Sequence, residues 1–109
     1  MFSVSRSHAA FHTEIAHIRR IVAQTDWDAR PTFCYRLRAA LREAVGSLPG
    51  AEDIEQRSRA VMRAAEHFVT ALRPNFTPAT VELMARIDEL KTAGDRALET
   101  QARDRAQAA

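Results

Sequence analysis

Apolar residues recur every three or four positions along most of this chain, the spacing that lines one face of an α-helix. Phe11, Ile15, Ile18 and Val22 form the first stripe. Ser5 or Ser7 can cap the free N–H groups ahead of it, so a helix is expected over roughly 6–24. The segment TDWDARP interrupts it. Pro31 suits a first helical turn, where its missing N–H is not needed. Cys34, Leu37, Leu41, Ala44 and Leu48 then make a second stripe, predicting a helix over about 30–46 that Gly46 and SLPG close.

Ile54, Val61, Ala65, Phe68 and Leu72 fall within about 60° of one another at 100° per residue, which predicts a third helix over roughly 51–73. Glu52, Asp53 and Glu55 in its first turn oppose the positive end of the helix dipole. Thr77 followed by Pro78 reads as a cap and a first helical residue, so a fourth helix is expected over about 78–104. Thr80, Leu83, Ile87, Leu90, Gly94 and Ala97 repeat along it as a bundle seam. Glu82 with Arg86, and Glu99 with Arg103, have the i, i+4 order that supports an exposed helix face. Residues from about 105 to 109 are expected to fray. Long amphipathic helices joined by short connections favour antiparallel neighbours, so the expected fold is a single all-α domain, a four-helix up-down bundle.

Composition agrees: 109 residues suit one domain, and few glycines and prolines with 46% apolar and 28% charged residues suit a folded helical protein. Cys34 is the only cysteine, so no intrachain disulfide can form, and the expected location is the cytoplasm. No apolar run reaches the ~20 residues of a membrane span, and MFSVSRSHAAF lacks the continuous apolar core of a secretory signal. Formal net charge is +2, with fifteen arginines against one lysine. An arginine- and alanine-rich chain fits a GC-rich bacterial genome, and so small a net charge does not by itself mark a nucleic-acid binder.

Three of the four histidines fall in SHAAFHTEIAHIRR. At about 100° per residue His8 and His12 share a face, whereas His12 and His17 are about 140° apart, so one ion cannot collect all three. Glu14 and His17 make an E-x-x-H pair, but a di-iron bundle needs a second such pair, and Ala64 precedes His67 where a glutamate would stand. No metal and no cofactor is therefore expected; His8 and His12 are the only pair placed to share an ion. His67, on the polar face of the third helix, could serve phosphotransfer only without the lysine and glycine that follow such histidines, since Phe68, Val69, Thr70 and Ala71 follow it. With no phosphate loop, no nucleophile elbow and its cysteine on an apolar stripe, the chain is not expected to be an enzyme.

What remains is surface. The expected function is a helical interaction module for a protein partner, itself included, and not for a membrane. Ala97, Leu98 and Ala102, on an expected overhang of the fourth helix, are the candidate self-association patch for a homodimer. Tyr35, Arg38 and Arg42, within about 60° on the polar side of the second helix, are the candidate patch for a partner or for nucleic acid. Trp27, Phe33 and Phe76, in or beside connections, either seal the bundle ends or form a docking patch.

Overall fold

The computed structural model describes the backbone of residues 2–24, 30–46, 48–49, 52–71 and 73–108, and the side chains of 7–24, 31–46, 48–49, 52–71 and 76–108. Four helices account for nearly all of these: α1 (Phe2–Gln24), α2 (Arg30–Gly46), α3 (Glu52–Thr70) and α4 (Arg73–Ala108). Each packs against its neighbours in sequence, and α1 closes on α4, giving an all-α four-helix bundle. Among the described residues, no helix is long and apolar enough to cross a membrane.

One core runs through the bundle. Phe11, Ile15, Ile18 and Val22 are buried as the first stripe requires, and so are Leu37, Leu41, Ala44 and Leu48 from the second. Ile54, Val61, Ala65 and Phe68 complete the third; Leu72 lies outside the described residues. Leu83, Ile87 and Leu90 supply α4's share.

Phe33 does not belong to a connection. It is fully buried, and its ring centroid lies 4.9 Å from that of Phe68. Phe76, half-buried, meets the other side of Phe68 at 5.1 Å. These offset rings close the end of the bundle where α2 and α4 begin and α3 finishes, a tilted geometry that aromatic pairs favour. Trp27 lies outside the described residues.

The largest departure from the expected boundaries is the start of α4. It begins at Arg73 instead of Pro78, so Thr77 is inside the helix and caps nothing. Pro74 falls in the first turn, where a proline costs no hydrogen bond. Pro78 is internal and removes one donor from the second turn. Phe76, inside the extended helix, packs on Phe68 in partial compensation. At the other end α4 continues to Ala108, and the expected frayed tail is helical. Neither Ser5 nor Ser7 caps α1, whose backbone is already helical at Phe2.

Contacts fix the helix directions. Phe11 lies on Gly94, His12 reaches Asp95 and Arg19 reaches Asp88, so α1 and α4 run in opposite senses. Arg57 with Glu89, and Phe68 with Phe76, do the same for α3 and α4. At about 1.5 Å per residue the 36 residues of α4 span the molecule's whole 54 Å length.

Candidate partner interface

Two kinds of surface divide the outside of the bundle. On α4 from Glu82 to Asp95 the charged side chains are tied to each other and to neighbouring helices. Arg19 Nη2 donates to Asp88 at 2.6 Å, Arg57 reaches Glu89 at 3.5 Å, and Arg86 donates to Glu89 at 3.0 Å. Asp95 accepts from Lys91 Nζ at 2.9 Å and stands 2.7 Å from His12 Nε2. Burial pushes the Asp95 carboxyl up, but the hydrogen bonds and charges of Lys91 and His12 outweigh it, leaving its pKa below the ordinary value. Glu82 and Arg86 pair as expected, at 3.3 Å, whereas Glu99 and Arg103 form no ion pair.

Facing outward from α2 is the other kind. Tyr35 is 78% exposed, the most exposed large apolar side chain described. Arg36, Arg38, Arg42 and Glu43 are all exposed and none makes an ion pair. The helix puts them there because Phe33, Leu37, Ala40, Leu41 and Ala44 occupy the opposite side. Tyr35, Arg38 and Arg42 thus share one outer face, as their spacing predicts. They open onto different grooves: Tyr35 borders a groove of about 690 Å³ against α1, and Arg38 and Arg42 border one of about 340 Å³ against Ser58 and Met62 of α3.

Cys34 lies at the edge of this face, half-buried against the core. Burial raises its thiol pKa, Glu66 raises it further and Arg38 opposes them. The thiolate is disfavoured, the reverse of what an activated nucleophile needs.

The histidines are dispersed. His8 stands edge-on to His12 with ring centroids 6.2 Å apart, and His12 is engaged with Asp95. His17 is exposed on the α1–α2 groove. His67 is exposed on α3, where Thr70 donates to its carbonyl at 3.3 Å. Among the described residues, no three His, Cys, Asp or Glu side chains come together as a metal cage.

The candidate patch at the end of α4 is altered by the structure. Leu98, expected on an exposed overhang, is 3% exposed and belongs to the core. From Phe11, seated on Gly94, α1 runs back to Phe2 alongside the end of α4, and the chain around Leu48 and Pro49 borders it as well. Ala97 and Ala102 stay half-buried at the margin. Compared with known protein families, curated proteins and solved structures, the chain shows no match.

Proposed function

We propose that this chain is a non-enzymatic, cytoplasmic interaction module that binds an acidic protein partner through the outer face of α2. One observation carries the reading: Tyr35 is 78% exposed beside arginines that form no ion pair. Tyrosine and arginine are the side chains that most often dominate a binding interface, since both bury large area and keep a polar end. An arginine with no carboxylate of its own is free to fork onto one from a partner.

A photoreactive residue at position 35 tests this in cells producing the chain. A discrete protein adduct is expected, absent when Arg38→Glu and Arg42→Glu are added and absent when the probe replaces His67. No adduct at position 35, or one indifferent to the arginines, would overturn the reading.

The same side chains support a second reading, in which Arg38 and Arg42 contact phosphates and Tyr35 stacks on a base. Glu43 on the same helix and the small net charge weigh against it. Little gel retardation of DNA or RNA is expected at physiological salt. A tight shift abolished by Arg38→Glu would put nucleic acid first.

A further inference from the structure

The groove between α1 and α2 has a charge order that the bundle itself does not use. Its α1 side carries Glu14, His17 and Arg20, and its α2 side carries Arg36 and Glu43. None of these five takes part in an ion pair among the described residues. α2 begins at the end of the bundle where α3 finishes, because Phe33 lies on Phe68 there. α1 also finishes at that end, since Arg19 lies on Asp88 and Phe11 on the more distant Gly94. Arg20 and Arg36 therefore share one end of the groove, and Glu14 and Glu43 share the other. Like charges sit together at each end.

The acidic and basic positions are separated by similar distances on the two helices. Glu14 and Arg20 each lie three residues from His17, about 9 Å apart along the axis. Arg36 and Glu43 are centred between Ala39 and Ala40, about 10.5 Å apart. A two-fold axis through the centre would place the basic end of one copy over the acidic end of another, forming every opposite-charge contact twice. The small Ala39 and Ala40 in the floor permit close approach, and Tyr35, exposed at the basic end, would reach the partner copy's acidic end.

We infer that a second copy of this chain docks on the α1–α2 groove, Glu14 and Glu43 of each copy facing Arg20 and Arg36 of the other. The inference goes beyond the partner site proposed above, whose test rests on Arg38 and Arg42, which border the neighbouring groove against α3. It also moves self-association away from Leu98. A groove this size buries less than the ~800 Å² per partner of a stable interface, so the dimer is a transient one.

Sedimentation of the full-length chain over about 10–500 µM is expected to show a monomer–dimer equilibrium in the range of tens of micromolar, weakening as salt rises. Arg20→Glu alone and Glu14→Arg alone should each raise the dissociation constant about tenfold or more. An equimolar mixture of the two should dimerise again, because each reversed charge then meets its opposite. Circular dichroism verifies that both variants stay helical, and Arg36→Glu mixed with Glu43→Arg is the second pair should either fail. A wild-type chain that stays monomeric, a dimer indifferent to the reversals, or variants that do not recover on mixing would each overturn the inference. An adduct at position 35 with the mass of two copies of this chain belongs to the dimer, whereas the partner reading requires an adduct with a different protein that depends on Arg38 and Arg42.

Discussion

α2 and α4 contribute to the same core yet treat their charged side chains in opposite ways. Along the middle of α4, Glu82, Arg86, Asp88, Glu89, Lys91 and Asp95 all lie in ion pairs, three of which cross to α1 or α3, while Arg96, Glu99, Arg103, Asp104 and Arg105 beyond them lie in none among the described residues. Along α2, the described Arg36, Arg38, Arg42 and Glu43 lie in none. Exposed pairs contribute little stability each. Their effect on α4 is to fix which residue of one helix sits beside which of the next. α2 contributes Phe33, Leu37, Ala40, Leu41 and Ala44 to the core, and its described charged side chains take no part in fixing that register. The middle of α4 commits its charges to register, and the described charges of α2 do not.

The comparison is tested most severely in the core that both helices share. Phe68, 1% exposed and held between Phe33 and Phe76, should cost about 3–5 kcal/mol on truncation to alanine. His67→Ala, one residue away on the exposed side, should cost under ~0.5 kcal/mol. Urea denaturation of the two variants measures the contrast, and equal losses would mean α2 and α4 do not meet through this ring column.

A second contrast lies in the glycines. Gly94 of α4 is where the Phe11 ring rests, and a methyl group there would overlap the ring. Gly94→Ala should destabilise by about 1–3 kcal/mol, although alanine is the better helix former. Phe11→Leu in the same chain should recover part of the loss, because the smaller side chain leaves room. Gly46, at the end of α2, has nothing within 4 Å of an added methyl group and no left-handed backbone. Gly46→Ala should therefore leave stability unchanged or raise it by up to about 1 kcal/mol. Thermal melts of the three variants check the order.

The helices themselves were legible because each buries a stripe with the period of its own backbone. Errors arose where a neighbour decided the outcome. Phe33 and Cys34 are adjacent, so periodicity alone does not say which turns inward; Phe68 across the interface selects the larger ring. Pro78 after Thr77 is a sound local start signal, and it lost to a helix that begins five residues earlier and carries Phe76 onto Phe68. Leu98 looked uncovered because its burial depends on packing with other helices, which the pattern along α4 alone does not show. Of the candidate interface, the outward position of Tyr35, Arg38 and Arg42 followed from the stripe opposite them. That their charges stay unpaired did not, because the pairs that occupy α4 join residues as far apart as His12 and Asp95.

A smaller effect separates the paired side by pH. Asp95 is ionised more readily in the folded chain than its ordinary value allows, through Lys91 and His12 acting against its burial. A lowered folded pKa gives stability that is present above the unfolded value of ~3.9 and is lost as pH falls through the folded one. Asp95→Asn should cost about 1 kcal/mol near neutrality, a figure kept small by solvent screening. The gap from wild type should close below about pH 4. A gap that persists into acid would assign the loss to packing instead of charge.

The smallest effect is expected on α2, and it is the one that tests whether that helix is uncommitted. Arg38→Glu with Arg42→Glu removes no ion pair, so the unfolding midpoint should move by no more than about 0.5 kcal/mol. The local electrostatics should still change. Arg38 is the charge that draws the Cys34 thiol down against burial and Glu66. Replacing it with a carboxylate leaves Cys34 beside two negative charges, which raises its pKa further and lowers the thiolate fraction at any fixed pH. Alkylation of Cys34 in the native chain near pH 8 should therefore slow, while the denatured chain reacts at its former rate. Stability retained with slower alkylation places Arg38 over the thiol but outside the fold's support. A large loss of stability would show that α2 leans on its arginines after all, and the contrast with α4 would disappear.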